Sequence, residues 1–277
     1  MKKIIIFTIF LSNLVLTSKA QDSTKKNQES FFKFSANYLT NSVYNGRKDS
    51  LTLPYLTPSI TYYDKSGFYV GGSLSYLMAK DENRIDLFTL DAGYDFSIGD
   101  KFSGGIYAAK YFYNNSSVAV RSETTGSFGF GVSYDPGIVT LYSGVDFSFA
   151  SKTDINVSTS LSHVFYFGDD NNQWSITPSF AMNAGTQNSY QDFVRKRKFK
   201  GPNGNNIVIK SSSKFDILDY ELSLPITYDL KKLGFFLTPT YALPQNGVYY
   251  TTQSGIVINA EKLENTLYAE FGFYIKF

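Results

Sequence analysis

One histidine and no cysteine occur in 277 residues. Disulfides, thiolate metal sites, cysteine nucleophiles and cages of several imidazoles are therefore excluded. His163 lies in Ser160-Leu161-Ser162-His163, which sets hydroxyls beside the one side chain that titrates near neutral pH. Nucleophilic catalysis would need one of those hydroxyls within hydrogen-bond reach of the imidazole. Val164-Phe165-Tyr166 follows, and in that apolar setting a packed or interfacial histidine is the expectation. Asp169-Asp170-Asn171-Asn172 offers oxygen ligands of the kind Ca²⁺ accepts, and is read here as a polar turn. Gly129-Phe130-Gly131 has the glycine spacing of a nucleotide loop, but no helix follows it. Arg195-Lys196-Arg197-Lys198-Phe199-Lys200 holds five cations in six positions. That run is either a solvated loop or a contact for anions. No catalytic group, metal site or cofactor is assigned from these residues.

The chain opens with an address. Met1-Lys2-Lys3 is a positive start, Ile4 to Leu16 is mostly apolar, and Ser18-Lys19-Ala20 puts small residues where a signal peptidase reads. Residues 1–20 are expected to be a cleaved signal peptide, since the apolar run is too short for a membrane helix. Cleavage removes three lysines from a net charge of +2 and leaves −1, so the charge balance gives no reason to expect nucleic acid as a partner. Export of a cysteine-free chain fits the periplasm or outer membrane of a Gram-negative bacterium.

Beyond the leader, helical periodicity is weak and strict alternation recurs. In Gly67–Ala79, Phe68, Val70, Gly72, Leu74, Tyr76 and Met78 share one face, against Tyr69, Gly71, Ser73, Ser75 and Leu77. In 218–228, Leu218, Tyr220, Leu222, Leu224, Ile226 and Tyr228 oppose Asp219, Glu221, Ser223 and Thr227. Such period-two patterns are strands with one greasy and one polar face. Twelve segments follow this pattern: 31–42, 54–64, 67–79, 86–97, 101–113, 125–135, 138–150, 154–167, 173–184, 215–228, 234–244 and 265–277. Pro58, Pro178, Pro225 and Pro239 fall inside them, where each removes a ladder donor, so local bulges or a kinked rim are expected, the alternative being that these four segments are shorter than drawn.

The links alternate in length. Asp64-Lys65-Ser66-Gly67, Ile98-Gly99-Asp100, Asp135-Pro136-Gly137, Gly168-Asp169-Asp170-Asn171 and Asp229-Leu230-Lys231-Lys232 are tight turns. Between them stand the longer links 43–53, 114–124, 185–214 and 245–264, with shorter ones near 80–85 and 151–153. Short turns on one rim and longer loops on the other are the signature of a transmembrane barrel. A bilayer offers backbone amides no water, so without helices only a closed barrel can span it. Aromatics near segment ends (Phe31, Phe32, Tyr62, Tyr63, Tyr111, Phe112, Tyr113, Phe165, Tyr166, Phe167, Tyr249 and Tyr250) predict girdles at the lipid boundary. The fold expected is all-β: a single antiparallel up-and-down transmembrane barrel of about twelve strands over 31–277, preceded by a short periplasmic tail, 21–30.

The last segment reads Glu270-Phe271-Gly272-Phe273-Tyr274-Ile275-Lys276-Phe277. This resembles the C-terminal assembly signal of bacterial outer-membrane β-barrel proteins, porin-like chains among them, with Gly272, Ile275 and Phe277 at its defining positions. The resemblance implies an outer-membrane location, recognition by the barrel-assembly machinery, and contact with outer-membrane lipid and lipopolysaccharide. In that setting Arg195, Lys196, Arg197, Lys198 and Lys200 become candidates for lipopolysaccharide phosphates or for the pore mouth. Some twelve-stranded members of this class are phospholipases using Ser, His and Asn. Their Ser-Asn-Gly context after the histidine does not occur after His163.

The polar faces assign Lys33, Asp91, Asp95, Asp146, Asp219, Glu221, Glu270 and Lys276 to the lumen. Carboxylates predominate there, which biases a pore toward cations. A structural network filling a narrow barrel is the alternative. The expected function is non-enzymatic, a small diffusion channel or transport-associated barrel. A lipid-acting enzyme, or a surface adhesion or lipopolysaccharide-contact barrel using 185–214, stands as the alternative. Solute and oligomeric state are not encoded in these patterns.

Overall fold

Alternation along the chain becomes the inner and outer faces of one wall. A computed structural model describes residues 29–48, 52–80, 82–117, 119–169, 171–190, 207–210, 214–247, 249–252, 257–260 and 263–277. Residues 1–20, expected as a leader, most of 21–30, expected as a tail, and the cation run 195–200 lie outside the described residues. The barrel strands are β1 (Phe31–Leu39), β2 (Tyr55–Tyr63), β3 (Phe68–Ala79), β4 (Glu82–Ile98), β5 (Phe102–Tyr113) and β6 (Gly126–Tyr134). They continue as β7 (Thr140–Phe149), β8 (Asp154–Ser162 with Phe165–Gly168) and β9 (Gln173–Ile176 with Ser179–Gly185). The last are β10 (Asp216–Ser223 with Ile226–Leu230), β11 (Leu233–Pro244) and β12 (Thr266–Lys276). Each pairs antiparallel with its chain neighbour, and β12 returns to β1 through partners such as Lys33–Lys276 and Asn37–Gly272. The twelve strands thus close with no free edge.

Five tight turns join the strands at the end where β1 starts and β12 finishes. Each contains a residue of positive φ: Gly67, Gly99, Gly137, Gly168 or Lys231. At Gly67 the need is also spatial, because a Cβ would stand 2.2 Å from the Asp95 carbonyl oxygen. The opposite end carries the longer links. Three of these contribute to two small sheets: a hairpin of Val43–Tyr44 with Arg47–Lys48 follows β1. Ile207–Lys210, Tyr249–Thr252 and Val257–Ala260 pair across the links after β9 and β11.

The outer face is apolar all the way round. Phe34, Ile60, Val70, Leu90, Ile106, Phe130, Leu141, Leu161, Phe180, Leu222, Leu237 and Phe271 are all exposed on it. A water-soluble barrel would not leave so continuous a hydrophobic belt uncovered, and the wall is that of a transmembrane barrel. Ring pairs ride on this belt near its margins: Phe32 with Tyr62 at 5.0 Å, Trp174 with Tyr228 at 4.5 Å, and Phe88 with Phe112 at 5.8 Å.

Consecutive aromatics do not all join the girdle. Successive side chains of a strand point to opposite faces, so Phe31 and Tyr63 stack inside at 4.9 Å while Phe32 and Tyr62 meet at a tilt outside. Tyr111 is likewise buried on the inner face, with its hydroxyl 2.9 Å from the Ser127 hydroxyl.

The prolines interrupt bonding without shifting register, which corrects the expected bulges. The gaps in β8, β9 and β10 stand side by side. His163 N donates to Pro178 O (3.3 Å), Thr177 N to Pro225 O (2.8 Å) and Leu224 N to Pro239 O (3.0 Å). The reverse bond is missing in each pair because proline has no N–H. Residue pairing on either side, Ser162–Ser179 and then Phe165–Ile176, keeps one count throughout. Pro58 behaves similarly, with its pairing to β3 lapsing between Leu56–Tyr76 and Ser59–Ser73 at constant register.

True bulges lie elsewhere, toward the loop end. One falls where Ser75–Leu87 gives way to Tyr76–Ile85, leaving Asp86 extra. The other falls where Asn183–Asp219 gives way to Ala184–Ile217, leaving Leu218 extra. Leu218 is fully buried rather than turned toward lipid, so the outward assignment made from alternation fails there, as an inserted residue flips the phase.

Candidate functional site

Inward side chains come from alternate positions of all twelve strands, and they sort into a loop-end cap, a middle zone and a turn-end zone. The cap is a set of links folded onto the wall. Asp86 accepts from the Tyr55 hydroxyl (2.7 Å), the Ser117 hydroxyl (2.7 Å) and Arg84 Nε (2.8 Å). Beside it Leu53, Tyr55, Leu77 and Ala119 form an apolar cluster. Asp154, at the head of β8, accepts from Thr186 Oγ1 (2.7 Å), Asn188 N (2.6 Å), Ser189 N (2.8 Å) and Ser189 Oγ (2.6 Å). The 43–48 hairpin reaches this same link. Tyr44 and Ser189 hydroxyls stand 3.1 Å apart, Arg47 donates to Gln187 Oε1 and, at 2.5 Å, to Asn246 O, and its guanidinium lies 5.5 Å from the Tyr190 ring centre. Ionic and polar groups this enclosed persist only when bonded, and here the bonding partners are the loops themselves.

The middle zone contains most of the acids expected from sequence. Asp146 accepts from the Tyr107 hydroxyl (2.6 Å) and Ser148 Oγ (2.6 Å). Asp219 accepts from Asn183 Nδ2 (2.5 Å), and Glu221 from the Tyr268 hydroxyl (3.1 Å). Glu270 is buried on β12. Asp91 and Asp95 stand on β4 on either side of Gly93. Tyr69 covers Gly93, leaving only 2.5 Å between its hydroxyl and an added Cβ. Tyr107 covers Gly129 in the same way, which gives Gly129-Phe130-Gly131 a packing role in β6. Asp95 Oδ1, Thr89 Oγ1 and Thr238 Oγ1 are enclosed without a protein partner among the described residues, groups of the kind that ordered water satisfies.

At the turn end Lys33 and Lys276 face each other on β1 and β12. Their ammonium groups lie 4.7 and 5.2 Å from the centre of one ring, Tyr274. The Tyr274 hydroxyl donates to Asp229 Oδ1. Sequence reading put Asp229 in a turn, whereas it pairs with Gly234 and Gln173 within the wall. Asp86, Asp154 and Arg47 were also missed. Asp154 shares the inward phase of Asn156 and Ser158 and could have been found from it. Asp86 is hidden by its bulge, and Arg47 belongs to a link with no period.

Of the remaining candidates, His163 packs edge-on to Phe165 at 4.6 Å, and no described side chain hydrogen-bonds to its imidazole. The nucleophile–base pair that acyl chemistry needs is not assembled there. Asp169 Oδ1 accepts from Asn171 N (2.8 Å) and Asn172 N (2.9 Å), so its carboxylate is used to shape the turn. No metal-binding cluster occurs among the described residues. Arg195, Lys196, Arg197, Lys198 and Lys200 lie outside them. Gly272 is close-packed, with an added Cβ 2.2 Å from Ala36 O, while Ile275 pairs with Phe34 and Phe277 is exposed.

No family model and no curated protein matches the sequence. Solved structures share its architecture at very low identity. LpxR from Salmonella typhimurium aligns with TM-score 0.50 and 10% identity over 90% of this chain and 100% of that one. The NanC porin gives TM-score 0.47 and 10% identity over 89% and 100%. The KdgM porin gives 0.46 and 8% over 90% and 99%. At these identities the likeness concerns fold, and the class it defines is the closed twelve-stranded transmembrane β-barrel.

Proposed function

We propose that this chain is a non-enzymatic outer-membrane barrel of a Gram-negative bacterium, serving as a small diffusion channel or transport-associated wall protein. The turn end faces the periplasm and the loop end faces out, in keeping with the short-turn and long-loop asymmetry of such barrels. One observation carries the reading. Asp91, Asp95, Asp146, Asp219, Glu221, Asp229 and Glu270 project from the strands into an interior whose outer shell is apolar. Charges placed on the inner side of a closed wall are tolerated where that interior is hydrated or densely hydrogen-bonded. Tyrosine hydroxyls bond Asp146, Glu221 and Asp229, which supports a narrow, ordered lumen rather than a wide pore. Docking of the 43–48 hairpin against Asp219 supports a constriction at the loop end. Gly272 and Ile275 lie in the closing strand and Phe277 directly follows it, which supports their reading as an assembly signal. The basic run 195–200 remains the candidate contact for lipopolysaccharide phosphates.

Planar-bilayer recording in a salt gradient tests the proposal. Small steps with a reversal potential of cationic sign are expected, and deletion of 43–48 should enlarge them. An absence of conductance in both forms, or anion selectivity throughout, overturns the channel reading.

A further inference from the structure

The lysine pair at the turn end is not explained by an acid-lined lumen. Lys33 is only 9% exposed. Neither its ammonium group nor that of Lys276 has a hydrogen-bond acceptor or an ion-pair contact within the described residues; both lie over the Tyr274 ring, with the Asp229 carboxylate the one acid that attracts both at longer range. A charged group this enclosed is ordinarily paired. Like charges on directly opposed residues of adjacent strands also repel, and Lys33 and Lys276 are such a pair. The acid that shares this end, Asp229, is engaged by the Tyr274 hydroxyl.

The inward residues next to Lys33 on the following strands are small. On the far side of Lys33 its cross-strand partner is Thr61, whose own partner is Gly71, followed by Asp91 on β4. The Asp91 carboxylate leans over Gly71 toward the Thr61 hydroxyl, so this acid borders the lysine pair. A Cβ at Gly71 would intrude to 2.8 Å from Thr61 Oγ1 and 3.0 Å from an Asp91 oxygen.

We propose that Lys33 and Lys276, with the Thr61 hydroxyl beside them, form an oxyanion site at the turn end of the lumen. The site takes one phosphate or carboxylate head. Two ammonium groups lie within about 5 Å of one ring centre, which suits charge-assisted bonding to a single small anion. Asp91 and Asp229 flank it and disfavour a polyanion. The proposal does not require the lumen to be open at the loop end, so it stands or falls apart from channel activity.

The test uses the full chain refolded into phosphatidylcholine nanodiscs, with lysines tagged by reductive ¹³C-methylation and followed by NMR. Inorganic phosphate is the probe, and Lys33→Arg and Lys276→Arg assign the two resonances. Saturable shifts confined to these two lysines are expected, with affinity falling about tenfold or more in Lys33→Gln and in Lys276→Gln. Lys65→Gln, in the exposed turn, should titrate as the parent does. Heat-dependent gel migration reports whether each variant has folded, and the Arg forms, which keep the charge, serve if a Gln form has not. A parallel series in phosphatidylglycerol discs without phosphate separates the sources: shifts there assign a lipid headgroup, and shifts with free phosphate alone assign a soluble anion. Linear, unsaturated shifts in both series, or Gln variants that titrate like the parent, overturn the proposal.

Discussion

Gly46 rests directly on Asp219: a Cβ at Gly46 would lie 2.5 Å from the Asp219 Cβ. Gly46 also has φ +74°, in the left-handed region that side chains disfavour. The tip of the 43–48 hairpin therefore reaches the wall only because this position lacks a side chain. Gly46→Ala should lift the hairpin and cost about 1–3 kcal/mol, combining backbone strain with a clash. Denaturant unfolding would read the loss, and faster proteolysis within 43–48 would place it. Unchanged cleavage of that segment would count against the docked hairpin.

Asp154 accepts four bonds from three residues of the link after β9: the Thr186 and Ser189 hydroxyls and the Asn188 and Ser189 backbone N–H groups. Asp154→Ala leaves several enclosed donors without acceptors, so a loss of about 3 kcal/mol or more is expected. Asp154→Asn should be milder, since one oxygen still accepts. Amide exchange at Asn188 and Ser189 is the measurement, with protection falling sharply in the Ala form while the backbone of β5 and β6 stays protected.

Acid should act on the turn after β2 only below the ordinary carboxylate range. Asp64 is held down to about 2 by the Ser66 side chain and backbone N–H, with help from Ser30 and Tyr62. Its folded value lies below the ordinary 3.8, so its contribution to stability is complete above that ordinary value and is lost as pH falls toward 2. A carboxyl titration followed by NMR should give a midpoint near 2 for Asp64. Asp64→Asn should differ from the parent above pH 3.8 and converge with it in stronger acid. A midpoint at the ordinary value would refute the turn geometry.

Proline in this wall costs a bond, not a register. Pro239 faces outward within β11, and pairing with β10 runs unchanged from Ser223–Thr240 to Ile226–Leu237. Pro239→Val should therefore fold in the same register and gain about 0.5–1.5 kcal/mol from the restored donor. Cross-strand amide contacts between 224 and 239 would verify this. A shifted pairing in the variant would show that the proline sets the register after all.

The contrast between β3 and β10 shows how far sequence carries. In β3, Phe68, Val70, Leu74, Tyr76 and Met78 read outward and are all exposed, because nothing interrupts the two-residue period. In β10 the same reading fails at Leu218, since one inserted residue reverses the phase and alternation holds no sign of it. Asp86 escapes for the same reason. The turn-end lysines were legible as inward residues, yet their shared contact with Tyr274 depends on β12 meeting β1, a closure that no local pattern records. Arg47 and the hairpin depend on tertiary docking and carry no periodic trace.

β12 is hydrogen-bonded along both edges, to β11 on one side and to β1 on the other. The link from Ala269 N to Thr40 Oγ1 bridges 229 positions of sequence. Until that keystone is laid, β1 and β11 each offer a row of bare amide and carbonyl groups, and hydrocarbon gives such groups no solvent. A half-built wall is therefore confined to places where water or a chaperoning edge can cover it. Entry into the lipid and the last strand's arrival become, in effect, the same event.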